Sequence, residues 1–230
     1  MIDRVLMGMG TGMQRQALWR RGFVRDLAVL ALLLVLCLLF FWRILTPNDL
    51  DRGSFRQGDF YDQFYAFASF EHQELLQGRL PLWNPYTYSG HPFLADIQSA
   101  IFYPLSFLTI LLSAVWGFSA FALELEAIAH VFLAGTFTYL LAKHLLRSRA
   151  AATLSAVTFA FGGYLTSYPP LQLANFETVV WLPLALLFLD LGIAELAGHW
   201  CLAFFYLLLA GGVLGVSILA GHPQTAMYVV

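Results

Sequence analysis

The sequence predicts an all-α, polytopic membrane protein with a large polar loop after its first span. Three observations carry that expectation. The 230-residue chain is 60% apolar and only 11% charged, with mean hydropathy +0.71, where soluble domains hold about 25% charged residues. Apolar runs recur along it at the length, about 20 residues, that a helix needs to cross a hydrocarbon core. Seven of the 14 acidic residues nevertheless crowd into residues 46–100, between two such runs. The net charge of −2 gives nucleic acid no electrostatic handle. Cys37 and Cys201 both lie inside apolar runs and read as small buried hydrophobes, not as a disulfide or a metal pair.

Residues 1–26 read as a cytoplasmic segment, because Arg4, Arg15, Arg20, Arg21 and Arg25 precede the first run and positive charge stays inside. Residues 27–45 form the first span. It leaves through Phe40, Phe41, Trp42 and Arg43 with no small-residue cleavage site, so it reads as an anchor and not a signal peptide. Residues 46–120 are then an outer loop. Within it, Ile101 to Trp116 cannot be a full span if Leu123 to Leu146 runs inward to Lys143, Arg147 and Arg149, so it is expected to lie at the interface or re-enter. Residues 121–230 form the helical core. Ala151 to Leu165 returns outward, broken by Gly162-Gly163, and Thr166 to Phe176 is an outer loop. Val179 to Ala197 goes in and Trp200 to Ala220 comes out, leaving His222 and Gln224 at an outer corner. The last apolar stretch stops uncapped at Val230, and the core reads as truncated, the N-terminal part of something longer.

Inside the polar loop, Gly58 to Gly78 has helical spacing. Phe60, Phe64, Phe67 and Leu75 fall toward one face, and Asp59, Asp62, Gln63 and Gln73 toward another. Asp59 stands where an N-cap belongs and Gly78 where a C′ glycine belongs. An amphipathic helix against the membrane surface is expected. Leu80-Pro81-Leu82-Trp83-Asn84-Pro85-Tyr86 follows as a rigid extended turn, with Trp83, Tyr86 and Tyr88 at headgroup level. Gly90-His91-Pro92 makes another turn, and Tyr103-Pro104 opens the interfacial helix.

Each polar residue also has a purely structural role open to it. Asp59 can be a cap and Asp62 a first-turn carboxylate favoured by the helix dipole. Glu71 and Glu74 read as a solvated face, His91 as a turn residue and His130 as a satisfied interhelical hydrogen bonder. Glu124, Glu126 and Glu177 are functional candidates because carboxylates are expensive near a membrane, although water is expected to reach the first two. No H-E-x-x-H, CxxC, P-loop or GxGxxG motif occurs, so zincin, redox and nucleotide-loop chemistries have no support.

At this loop the chain resembles the bacterial YfhO family, which belongs with the GT-C type of polytopic glycosyltransferases. The resemblance rests on Asp59, Gln63, the Gly78-Arg79-Leu80-Pro81-Leu82-Trp83-Asn84-Pro85-Tyr86 run, Gly90-His91-Pro92, Gln98 and Tyr103-Pro104. Phe159 to Tyr164, Trp181-Leu182-Pro183 and Gly221-His222-Pro223-Gln224 are similar to later family positions. The resemblance implies transfer of a sugar from a polyprenyl-phosphate donor to a cell-envelope glycan or lipid on the outer face of the bacterial cytoplasmic membrane. It implies Asp59 as the base that takes the acceptor's proton, with Asp62 as second choice. Gln63, Trp83, Asn84, Tyr86, His91, Gln98, His222 and Gln224 would bind substrate, and Arg52, Arg56 and Arg79 are the cations nearest in sequence for the leaving phosphate. No metal site is assigned, and a divalent cation on the two aspartates is left open. A transporter or flippase of a lipid-linked substrate, lined by His130, Thr136, Thr138 and Asp190, is an alternative. A non-catalytic membrane scaffold, in which Asp59 only caps a helix, is another.

Overall fold

Hydrocarbon offers no partner for backbone N–H and C=O groups, so apolar runs of this length close their own hydrogen bonds as helix. The computed structural model describes residues 22–48, 50–55, 58–167 and 171–229, and among them it is helical, with one isolated bridge pair, Asn84 with His91. Arg4, Arg15, Arg20, Arg21 and Arg56 lie outside the described residues. Four helical stretches are long and apolar enough to cross a membrane: Gly22–Phe40, Ala120–Leu146, Leu173–Glu195 and Trp200–Leu219. The protein is therefore an α-helical membrane protein.

In chain order the helices are α1 (Gly22–Phe40), α2 (Trp42–Leu45), α3 (Ala66–Leu76), α4 (Pro104–Ser113), α5 (Ala120–Leu146), α6 (Arg149–Ala160), α7 (Gly163–Ser167), α8 (Leu173–Val179), α9 (Leu182–Glu195), α10 (Trp200–Leu219) and α11 (Pro223–Val229). At 27 residues α5 is the central element. It packs on α6 through small side chains, because Ala152, Ala156 and Ala160 recur every fourth residue and are at most 1% exposed. A Cβ at Gly135 would stand 3.3 Å from that of Ala160. Close backbone approach of this kind is how helices associate where solvent supplies no hydrophobic force. Gly192 does the same for α9 and α10, where a Cβ would meet Leu207 at 2.9 Å. The outward faces of α1 and α10 stay apolar and exposed, as at Leu39, Trp200 and Phe204, which is the surface that hydrocarbon covers.

The two ends of α5 are tied differently. At its C-terminal end Asp26 of α1 accepts from Tyr139 (2.7 Å), Lys143 (2.5 Å) and Arg149 (2.8 Å), joining α1, α5 and α6. At its N-terminal end Glu124 Oε1 accepts from the Phe55 amide (3.0 Å) and the Tyr61 hydroxyl (3.2 Å), pinning the polar loop. The polar loop and the Lys143–Arg149 cluster thus sit at opposite ends of α5, as the charge pattern predicts.

α4 has ten residues, about 15 Å of helix, and falls short of a span, as expected of Ile101 to Trp116. Five other expectations change. The helix after Gly58 opens with a wide π-type stretch, Phe60–Tyr65, before α3 begins. Asp59 has helical φ and ψ and makes no capping bond with its side chain, so it is not an N-cap. Leu173 to Phe176, expected to end the outer loop, belongs instead to the buried helix Leu173–Val179. Cys37 is buried but Cys201 is exposed on the apolar face of α10. Glu71, Glu124 and Glu126 are 2%, 3% and 5% exposed, so none of the three is solvated. Gly78 does close α3 with positive φ, and the Arg79 amide donates back to the Glu74 carbonyl at 3.0 Å.

Candidate functional site

Three polar segments far apart in sequence meet at the N-terminal end of α5. The Gln172 amide, just before α8, donates to Asp59 Oδ2 at 3.1 Å. Gly221, at the α10–α11 corner with φ +94°, lies so close to the 97–100 turn that a Cβ would stand 2.9 Å from the Ile97 carbonyl oxygen. Thr225 of α11 donates from its hydroxyl to Asn175 Oδ1 of α8 at 2.7 Å. The loop, the segment before α8 and the His222 corner therefore form one surface.

On that surface the predicted residues fall into two groups. Asp59 and Asp62 are exposed, Asp59 just before and Asp62 on the wide π-type stretch, a backbone form that recurs at functional sites. Gln63 Nε2 donates to Gln98 Oε1 at 2.6 Å, holding the loop helix to the 97–99 turn. Tyr86 and Trp83 expose their rings, 80% and 57%. Asn84, by contrast, is 2% exposed and spends its side-chain oxygen on the Tyr86 amide (2.9 Å), while its backbone pairs with His91. His91 bonds Thr87 through Nδ1 at 2.9 Å and approaches Asp96. These two residues build the turn that presents the rings. His222 Nδ1 accepts from the Thr225 amide at 3.2 Å, and Gln224 donates to the Tyr228 hydroxyl at 3.0 Å. Of the expected phosphate ligands, Arg79 is ion-paired with Glu74 at 2.7 Å, which lowers the Glu74 carboxyl below its ordinary range, and Arg52 lies over the Phe121 ring at 4.6 Å.

Beneath this surface lies a cavity of about 30 Å³ whose polar lining includes Glu71, Gln98, Ser106, Glu126 and Glu177. Gln98 belongs to both levels, bonded to Gln63 above and lining the cavity below. Ser106 donates to Glu126 Oε1 at 2.5 Å. Burial pushes the Glu71 carboxyl up to about 8, with the negative charge of Glu126 adding to it.

His130 stands beside this cavity with both ring nitrogens engaged. Nδ1 meets the Glu126 carbonyl oxygen at 2.7 Å and Nε2 the Tyr103 hydroxyl at 2.6 Å. The carbonyl can only accept, so Nδ1 carries a proton. Trp181 Nε1 donates to the Tyr103 oxygen at 2.9 Å, which frees the single Tyr103 proton for His130 Nε2. His130 is therefore the neutral, satisfied residue that its apolar helix predicts. Tyr103 is fully buried, and burial raises its hydroxyl far above the ordinary phenol range.

Sequence spacing points to the surface level and undervalues the buried one. Glu71 is four residues after Phe67 and seven after Phe64, on the face those phenylalanines bury, and that spacing is the signal for its burial. Glu126, His130 and Glu177 bring ligand atoms within 4.8 Å of one another, a group that can hold a metal ion.

These features define a class, a helical membrane protein with a polar surface site above a buried carboxylate cavity. Comparison with protein-family models, with curated proteins and with solved structures finds no match in any of the three.

Proposed function

We propose that the protein is a membrane glycosyltransferase, moving a sugar from a polyprenyl-phosphate donor to a cell-envelope acceptor on the outer face of a bacterial cytoplasmic membrane. The observation that carries this reading is Asp59. Its carboxylate is exposed, does not cap its helix, and is held by Gln172 from another part of the chain where three polar segments meet. A helix cap would spend that carboxylate on local amides. A positioned carboxylate on an open polar surface is instead free to accept a proton.

In the proposed reaction the acceptor hydroxyl oxygen bonds to the anomeric carbon while its proton passes to Asp59. The bond from that carbon to the donor's phosphate oxygen breaks, and polyprenyl phosphate leaves with the electron pair. Gln172 fixes the carboxylate, and the exposed rings of Trp83 and Tyr86 offer faces for sugars. An apolar groove of about 450 Å³ between α4 and the first turns of α5 includes Leu112, Trp116, Phe121 and Leu125, and suits a prenyl chain beside the site. Asp62, one turn on, is the reserve base. A divalent cation, where the reaction uses one, is more at home in the buried cavity than between two exposed aspartates.

The test is label transfer in membranes that contain the protein, offered a panel of radiolabelled polyprenyl-phosphate sugars. The proposal expects label in a glycan or glycolipid product above membranes lacking the protein. Recovery of every donor intact would contradict it.

A further inference from the structure

We propose that Glu126 and Glu177, with the Ser106 hydroxyl beside them, bind one small oxygen-preferring divalent cation of the Mg²⁺ or Mn²⁺ class beneath the surface site, in the cavity whose wall also carries Glu71. Three carboxyl groups that are 2–5% exposed line one cavity. Among the described residues, Glu71 Oε1, Glu126 Oε2 and Glu177 Oε1 have no hydrogen-bond partner. A buried, unpartnered carboxylate oxygen is costly, and several together can persist only with shared protons or a counter-ion. No Lys or Arg lines the cavity among the described residues. His130 cannot supply the charge, because the Trp181–Tyr103–His130 chain keeps its ring neutral.

The same chain decides which metal fits. Both His130 nitrogens are committed, so the available donors are oxygens alone: carboxylates and the Ser106 hydroxyl. Hard oxygen donors select Mg²⁺, Mn²⁺ or Ca²⁺ over Zn²⁺. The cavity volume of about 30 Å³ has room for one ion and not for a full hydration shell. Glu71 sits on α3, Ser106 on α4, Glu126 on α5 and Glu177 on α8. An ion there would join the interfacial helices to the spanning core directly under Gln98, and so would set the position of the surface turn that Gln98 holds.

The test is Mn²⁺ binding to the purified protein in detergent, read from loss of the free Mn²⁺ electron paramagnetic resonance signal, alongside thermal unfolding with and without Mn²⁺. This readout is independent of sugar transfer, so its failure and that of the proposed activity can be told apart. One ion per chain is expected, together with a rise in Tm on saturation. Glu126→Gln combined with Glu177→Gln should weaken binding at least tenfold and abolish the Tm rise. Its metal-free Tm should not fall below that of the wild type, because the change removes buried carboxyls without changing their shape. Asp59→Asn should bind Mn²⁺ as the wild type does. Absence of saturable Mn²⁺ binding, or binding unchanged in the double variant, would overturn the proposal and leave a pair of carboxyls sharing a proton. Preferential Zn²⁺ binding lost in His130→Ala would overturn the ligand assignment.

Discussion

Tyr103 shows how much of the site depends on single atoms. Its hydroxyl accepts from Trp181 and donates to His130, and it is fully buried as the last residue before α4. Tyr103→Phe keeps the ring and leaves two polar groups, one of them on a fully buried residue, without partners. The expected loss is about 1–3 kcal/mol of stability, read as a lowered Tm. A Tm equal to that of wild type would show that the Trp181–Tyr103–His130 chain contributes nothing. At this scale the sequence is partly readable. His130 on an apolar helix points correctly to a satisfied hydrogen bonder, because an unpaired imidazole there would be too costly. Its partner 27 residues away in sequence is not readable, since the pairing depends on how α4 folds back against α5. Asp59 looks like a cap from spacing alone, because spacing cannot show that the chain enters the helix already in helical φ and ψ.

At the scale of elements, the α10–α11 corner is the joint that brings His222 and Gln224 to the loop. Gly221 has φ +94° and stands against the Ile97 carbonyl, with no room for a Cβ. Gly221→Ala should cost about 1–3 kcal/mol through backbone strain alone and push the corner off the 97–99 turn. Limited proteolysis near Gln98 should accelerate relative to cleavage elsewhere, and an unchanged pattern would count against the joint. Four of the five expected spans are legible, because an apolar run of about 20 residues admits few alternatives to a helix; the fifth, Ala151 to Leu165, gives only the 12-residue α6, too short to cross. Less legible is the break within residues 173–195. The stretch is continuous in hydropathy, yet α8 ends at Val179 and α9 starts at Leu182 with Pro183 in its first turn. α8 buries Leu173, Ala174 and Phe176, which is why part of a segment expected to be an outer loop belongs to the core, and Glu177 is carried inward with them. The π-type stretch at Phe60–Tyr65 has no signature in periodicity either.

At the scale of the whole molecule, the charge asymmetry becomes a statement about sides. The Asp26–Lys143–Arg149 cluster and the Asp59 surface lie at opposite ends of the central helix, and the proposed topology puts the first in the cytoplasm. In a Cys201→Ser background, which removes the exposed native thiol, Tyr86→Cys should react with a membrane-impermeant maleimide added outside. Arg147→Cys, exposed at the other end, should react only after permeabilisation. The reverse pattern would invert the topology and remove the outer-face reading.

The most direct test of the central claim compares sugar transfer by wild type and Asp59→Asn in the same membranes, after confirming equal abundance and equal Tm. Asparagine keeps the shape and can still meet Gln172, but it is no proton acceptor at neutral pH. The account predicts a fall in transfer rate of about 10²- to 10⁴-fold, the usual contribution of a general base, without loss of fold. Transfer by Asp59→Asn within about threefold of wild type, at equal abundance, would contradict it and remove Asp59 from the chemistry.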